Sequence, residues 1–311
     1  LQSREHDNRN ELQMSAEPYK QIPQPSNRVP VLGDALHIDS QQPTQSLMDL
    51  AVELGPIYEL VVPGGNLMVV TGGDIVSECL DETRFEKYIS PQTQVLRELS
   101  GSAVFTAWTT EPEWKQGHNI LLPAFAPGAI KGYTEKMADI AGQLVLKWAR
   151  LNPGEPVDVG PDMVRLTFDT VSLVCFSYRP GSFYRQDMHP AVTAIETAID
   201  EAMRRPSQLP GQNALEWLGG RREYKKALSY LAELADGIIR DRIDSGRVGQ
   251  VGDVLDIMLT TADKASGRQL DLVNIRQQMI TFLAAGYDTT SGLLQFTLYY
   301  MLKNPDVLTK V

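Results

Sequence analysis

Residues 272–303 read LVNIRQQMITFLAAGYDTTSGLLQFTLYYMLK, and this stretch decides the fold. Its apolar residues recur at the three-and-four spacing of a helical face, as at Ile275 and Met279. Asp271 can cap the start of the helix, and Pro305 prevents its continuation. A helix of about 50 Å, at ~1.5 Å per residue, that is apolar on several sides is expected to cross the middle of a large domain.

The middle of this helix, residues 284–291, is made of small and hydroxyl-bearing residues where a packed helix would normally carry leucine. At ~100° per residue, Ala285, Gly286 and Thr289 share one side of the helix. Asp288 points roughly 160° away from Gly286. The Thr289 hydroxyl can bond the Ala285 carbonyl, so this side is expected to admit a flat group. Back-bonded threonines at an ordinary helix contact are the alternative that this pattern leaves open.

Trp114 and His118 form a second candidate site within the stretch WKQGHNILLPAF, residues 114–125. Residues four apart lie on one helical face, and both rings can donate hydrogen bonds from nitrogen. The pattern alone equally fits a half-buried aromatic pair that binds nothing.

The motif AGYDTT, residues 285–290, resembles the A-G-x-[DE]-T-T segment in the long central helix of cytochrome P450s. From about Glu17 onward, the chain is similar to the soluble haem domain of self-sufficient fatty-acid hydroxylases, in which a reductase is fused behind the P450. This similarity extends over WKQGHNILLPAF, FYRQDMHP and TTSGLLQFTLYYMLKNPDVL. It implies a mainly α fold with a small N-terminal β-sheet. Residues 1–16 are then expected to form a disordered tail, and residues 17–311 a partial haem domain.

The resemblance implies roles for the central helix. Thr289 and Asp288 match the catalytic pair: Thr289 would hold the hydrogen-bond network around water or O2, and Asp288 would relay protons from solvent. Ala285 and Gly286 match the positions that make room for the haem.

Three further residues take their expected roles from the same resemblance. Trp114 and His118 match the W-x-x-x-[RH] pair that contacts a haem propionate. Phe105 aligns with an aromatic that lies over the haem face and contacts substrate, although the pattern alone equally fits a core aromatic. Gly65 and Val69 stand where the best-known members carry an arginine and a tyrosine that hold a fatty-acid carboxylate.

The positions of the cysteines indicate whether this chain contains the ligand of a haem iron. In the resembled family, an E-x-x-R helix and an F-x-x-G-x-x-x-C-x-G loop follow the central helix, and neither follows it here before Val311. Cys79 and Cys175 lie in other parts of the chain and are expected to be small core residues without a disulfide. We therefore expect a C-terminally truncated P450 fold whose axial cysteine lies outside this chain. A haem-free remnant that binds apolar small molecules is the alternative.

The resemblance also predicts cofactors and partners. It implies haem b, a reductase with FAD, FMN and NADPH, O2 as co-substrate, and an apolar substrate such as a fatty acid. A net charge of −10 argues against nucleic acid as a partner. Residues 1–16 carry neither an apolar leader nor a membrane-spanning run, which favours a cytoplasmic protein.

Other segments follow from local pattern. Two runs rich in β-branched residues, 57–62 and 67–70, flank the turn-forming residues 63–66 and predict a hairpin. Residues 128–151 and 224–244 are predicted to be helices, and residues 206–220 a loop.

Overall fold

The computed structural model describes residues 21–39, 42–63, 65–205 and 214–311. Its residues divide into two units, one up to Glu86 and one from Lys87 onward. The predicted tail, residues 1–16, lies outside the described residues. None of the helices in the described ranges has the length and apolar character needed to cross a membrane.

The first unit contains the predicted hairpin. Strands β1 (Ile57–Val62) and β2 (Gly65–Val70) pair antiparallel, and the ladder already closes at Val62 opposite Gly65. The second strand thus begins two residues earlier than predicted, because Gly65 adopts a φ of +143° that a residue with a side chain would rarely accept. Helices α1 (Pro43–Leu54) and α2 (Gly73–Cys79) complete this unit. Leu50, Tyr58 and Leu60 form its small core.

Apart from one isolated bridge between Ala262 and Gln269, the regular elements of the second unit are helices in the part that the structure describes. Its α-helices are α3 (Pro91–Ser100), α4 (Pro112–Leu121), α5 (Pro127–Gly132), α6 (Thr134–Trp148), α7 (Val159–Phe176), α8 (Pro190–Arg204), α9 (Ala214–Asp244), α10 (Val254–Thr260), α11 (Leu272–Lys303) and α12 (Pro305–Leu308). The predicted fold class, mainly α with a small N-terminal sheet, is confirmed.

Helix α11 begins where the sequence predicts. The Asp271 carboxylate accepts a hydrogen bond from the Asn274 backbone N–H at 2.7 Å, which caps the first turn. Ile275, Met279 and Leu283 are then buried in the main core, where α11 packs against α7. The predicted central position holds for this half of the helix.

The second half of α11 differs from that expectation. Leu293 and Phe296 are 67% and 64% exposed, and Tyr300 and Leu302 are exposed as well. Helix α7, which packs against α11, begins at Val159, and its first turn lies beside Gln295 of α11 through Gly160. An apolar helical pattern therefore predicts the buried side of α11 without showing where along the helix its neighbours stop.

Two predicted boundaries were wrong. The helix predicted over residues 128–151 is broken at Tyr133, whose hydroxyl donates to the Ala124 carbonyl at 2.9 Å and holds the ring in the core. Helix α9 begins at Ala214, within the segment predicted to be a loop, and residues 206–213 lie outside the described part.

A buried ion cluster joins the end of α9 to α10 and α7. Both terminal nitrogens of Arg242 bond Asp253, at 2.9 and 2.5 Å, and one of them bonds Asp256 at 2.6 Å. The other also donates to the Phe176 carbonyl at 3.1 Å. All three charged side chains are at most 4% exposed. Such a cluster is stable only while every member keeps its partners.

Candidate functional site

The candidate catalytic threonine lies on an exposed side of α11. Its hydroxyl donates to the Ala285 carbonyl at 2.9 Å, the predicted back-bond, and both Thr289 and Ala285 are exposed. The oxygen of a donating hydroxyl keeps its lone pairs as acceptors. This surface therefore offers a bound group a small residue to approach and one hydroxyl acceptor.

Gly286 has a packing role that the sequence did not reveal. A Cβ built on it would lie 2.9 Å from Val171 Cγ2 and 3.3 Å from Val171 Cβ, so the absence of a side chain lets α7 approach α11. The same contact is secured by Thr167, whose hydroxyl donates to the Tyr287 carbonyl at 2.8 Å. Ala285 and Thr289 are exposed, whereas Gly286 is half-buried against α7, so its role beside a cofactor stays a prediction.

Replacing Gly286 with alanine is expected to destabilise the protein by about 1–3 kcal/mol through overpacking against Val171. Helix propensity alone would favour alanine by roughly 1 kcal/mol. Gly237 of α9 is the matched control, because a Cβ built on it meets no other atom within 4 Å. Urea unfolding should show the Gly237→Ala variant as stable as the parent or more so. A Gly286→Ala variant that gains stability equally would contradict the packing role.

Asp288 is exposed, and its charge acts on Glu196 of α8. The pKa of Glu196 on α8 is raised, first by partial desolvation and then by the negative charges of Asp200 and Asp288. Asp288 is therefore one of a group of solvent-accessible carboxylates, and such groups exchange protons readily with water.

Trp114 and His118 form a stacked pair on α4. Their ring centroids are 5.2 Å apart and the ring planes differ by 18°. Both residues are half-buried, and His118 Nδ1 is buried without a hydrogen-bond partner among the described residues. An unpaired buried polar atom costs about 1–3 kcal/mol, so this nitrogen is suited to bind a polar group of a ligand.

Lys87 belongs to the same cluster, and sequence analysis missed it. Its ammonium donates to the carbonyls of Val104 and Phe105, at 2.9 and 3.2 Å, and lies 5.8 Å from the centre of the Trp114 ring. Burial lowers the pKa of Lys87, and the Glu111 carboxylate opposes that shift. The residue lies in an irregular segment with no motif of its own, so only the folded chain shows it beside Trp114.

Phe105 is 54% exposed, so the alternative of a core aromatic is wrong for the described structure. Its ring is available to contact an apolar ligand, whereas its backbone carbonyl is held by Lys87.

Both cysteines are free. Cys175 is buried in the main core, as predicted, and burial raises the pKa of its thiol to about 12. Cys79 ends α2 in the first unit and is only half-buried. Among the described residues, no group of three or more histidine, cysteine, aspartate or glutamate side chains is arranged to hold a metal ion.

Comparison with known proteins decides the family. The family model described as Cytochrome P450 matches residues 23–311. The chain belongs to the cytochrome P450 family. This P450 is 46% identical over 289 residues to the bifunctional cytochrome P450/NADPH–P450 reductase 1 of Bacillus subtilis, and equally identical to a bifunctional enzyme of Bacillus cereus. It is 38% identical to a self-sufficient cytochrome P450 monooxygenase of Phanerodontia chrysosporium. Each alignment covers 93% of this chain and 27% of the relative.

A cytochrome P450 domain holds haem, and the cluster around Trp114 fits that group. A haem carries two propionate carboxylates, which bind cations and ring N–H donors. Lys87, Trp114 and His118 provide such groups, including a buried ring nitrogen that has no other partner among the described residues. On α11, the exposed Ala285 and Thr289 fit the edge or face of a flat macrocycle.

Replacing His118 with alanine is expected to weaken haem retention in the full-length P450 by roughly 10-fold, the value of one hydrogen bond to a charged group. Alanine preserves helix propensity, so α4 should stay folded. Haem loss to an excess of apomyoglobin measures the effect. Gln116→Ala, on the same helix, is the control, because that side chain bonds the Arg268 carbonyl instead. If His118→Ala and the parent lose haem at the same rate, His118 does not bind haem and stacks on Trp114 only as packing.

Proposed function

We propose that the protein carrying this chain is a haem-thiolate monooxygenase that inserts one oxygen atom of O2 into an apolar, long-chain substrate such as a fatty acid. The observation that carries the proposal is the exposed Thr289 hydroxyl, back-bonded to Ala285 within the P450 motif. Thr297 of α11 is also exposed and back-bonded, so it is the place of Thr289 within the motif that supports the catalytic role.

The haem, when bound, supplies the chemistry that activates O2. The Thr289 hydroxyl, which donates its proton to the Ala285 carbonyl, accepts a hydrogen bond from water beside the reacting centre and so keeps a proton source in position. Asp288, which is exposed, takes protons from solvent and passes them toward Thr289.

The remaining site residues bind the haem and orient the substrate. Trp114 and His118 hold a propionate, and Lys87 adds a positive charge beside Trp114. Ala285 is small enough for the macrocycle to approach α11. Phe105, with its ring 54% exposed, contacts the apolar substrate and limits how it can lie.

The electron supply is proposed from the relatives. Two of them are named as bifunctional proteins with an NADPH–P450 reductase. We infer the same arrangement for this protein: a fused reductase that holds FAD and FMN and takes electrons from NADPH. The two free cysteines agree with a reducing compartment, and the proposed location is the cytoplasm.

Oxygenation of a long-chain fatty acid under isotopically labelled O2 tests the proposal in the full-length protein. We expect an NADPH-dependent hydroxylated product that carries one labelled oxygen atom, with one NADPH consumed per product. A protein that binds the fatty acid but makes no such product, and contains no haem, would be the apolar binder instead.

A further inference from the structure

The segment of residues 101–105, between α3 and α4, is bound along its backbone by amide side chains of α11. Gln277 Oε1 accepts from the Ser102 N–H at 3.2 Å, and Gln278 Oε1 accepts from the Val104 N–H at 3.1 Å. Asn274 Nδ2 donates to the Ser102 carbonyl at 3.3 Å. We call Asn274, Gln277 and Gln278 the amide clamp.

The amide clamp is a connected and largely buried network. Gln278 is fully buried and Asn274 is 6% exposed. Gln278 Nε2 also donates to Asn274 Oδ1 at 3.1 Å, which fixes both amide groups in one orientation. Satisfied buried polar networks restrict a structure to one arrangement more strongly than apolar packing does.

Two glycines make room for the clamp. A Cβ built on Gly101 would lie 2.0 Å from Gln277 Nε2, and one on Gly117 would lie 2.9 Å from Gln278 Nε2. Gly101 also has a φ of +48°, which favours glycine. The absence of a side chain thus lets the backbone at Gly101 approach Gln277, and the backbone of α4 at Gly117 approach Gln278.

The clamp fixes the backbone that carries Phe105. Val104 is held at its N–H by Gln278 and at its carbonyl by Lys87, which also binds the Phe105 carbonyl. The Phe105 ring, in contrast, is 54% exposed. An exposed ring on an immobilised backbone is suited to restrict the orientation of a ligand that lies against it.

We propose that Gln278, with Asn274 and Gln277, is a positioning group that fixes Phe105 and thereby determines which carbon of the substrate is oxygenated. This inference rests on the proposed function, in which Phe105 contacts the substrate. The three amide groups bond the backbone of residues 102–104 and one another, so their effect on the substrate is exerted through Phe105.

The test replaces Gln278 with methionine, of similar volume, in the full-length protein. Loss of one hydrogen bond to a buried N–H should speed hydrogen exchange in peptides covering residues 99–108 by roughly tenfold. The ratio of hydroxylated regioisomers should shift at least about twofold, with haem content unchanged. Gln278→Glu keeps an acceptor oxygen and should restore part of the parent ratio. Gln295→Met is the matched control, because this glutamine of α11 faces Gly160 instead.

Phe105→Ala separates this inference from the proposed function. It should change the regioisomer ratio without changing exchange in residues 99–108. If Phe105→Ala changes the ratio but Gln278→Met leaves it unchanged, the clamp does not determine selectivity and the inference is overturned. If the parent makes no oxygenated product, the proposed function is wrong. The inference about selectivity is then also wrong, whatever the hydrogen-exchange rates of residues 99–108. Should Gln278→Met fold poorly, Gln277→Met, which removes a half-buried amide, gives the same decision.

Discussion

Replacing Arg242 with alanine is expected to lower the free energy of unfolding by about 3–5 kcal/mol, because it leaves the buried carboxylates of Asp253 and Asp256 without a counter-charge. It also removes the donor to the Phe176 carbonyl, so the junction of α7, α9 and α10 loses its only shared ion cluster among the described residues. A typical domain has 5–15 kcal/mol in all, so this loss is a large part of it.

Denaturant-dependent hydrogen exchange of peptides covering residues 237–260 measures the loss. At ~1.4 kcal/mol per factor of ten, exchange through unfolding should accelerate by about two to three and a half orders of magnitude. Arg240→Ala is the control, because this arginine is exposed on the same helix. A conservative Arg242→Lys variant should lose less free energy of unfolding, because the ammonium keeps the positive charge. It should still be less stable than the parent, because an ammonium lacks the planar fork that bridges two carboxylates. Parent-like exchange in Arg242→Ala would show that water reaches the cluster.

Thr289→Ala is expected to separate NADPH oxidation from product formation. Alanine keeps the helix but removes the hydroxyl oxygen that accepts a hydrogen bond beside the reacting centre. Positioned proton transfer contributes roughly 10²–10⁴-fold to a rate, so product per NADPH should fall at least about tenfold. The electrons should appear in hydrogen peroxide, with O2 and NADPH consumed in equal amounts.

Thr297 supplies the matched control for that variant. It lies on α11, is exposed, and makes the same back-bond, to the Leu293 carbonyl at 2.7 Å. Thr297→Ala should therefore keep normal coupling and normal haem content. Unchanged coupling in Thr289→Ala, or equal uncoupling in both variants, would remove the catalytic role of Thr289.

The sequence predicted those features that depend on local pattern. Asp271 caps α11, as its position before an apolar run indicates. The back-bond from Thr289 to Ala285 follows from their spacing of four residues on one helix. Each of these contacts lies within a few residues of sequence.

Features that depend on distant partners were missed. Gly286 is required by Val171, which is more than 100 positions away in the sequence, and a glycine in a helix does not indicate which neighbour approaches it. Lys87 is held near the Trp114 ring by the carbonyls of Val104 and Phe105, which are 17 and 18 positions away in the sequence. The break at Tyr133 depends on a hydrogen bond to Ala124, which helical periodicity cannot predict. These parts of the site are determined by tertiary contacts, which the local sequence pattern does not show.

The most direct test of the central claim is the difference spectrum of the reduced, carbon monoxide-bound full-length protein with both Cys79 and Cys175 replaced by alanine. Burial raises the pKa of the Cys175 thiol to about 12, so this thiol is not expected to bind iron as a thiolate. Cys79 precedes the central helix, whereas the resemblance implies an axial cysteine that follows it. We predict that the red-shifted band typical of thiolate-bound haem persists in this variant at parental intensity. Loss of the band from a variant that still folds and binds haem would contradict the account, as would a parent protein that shows no such band.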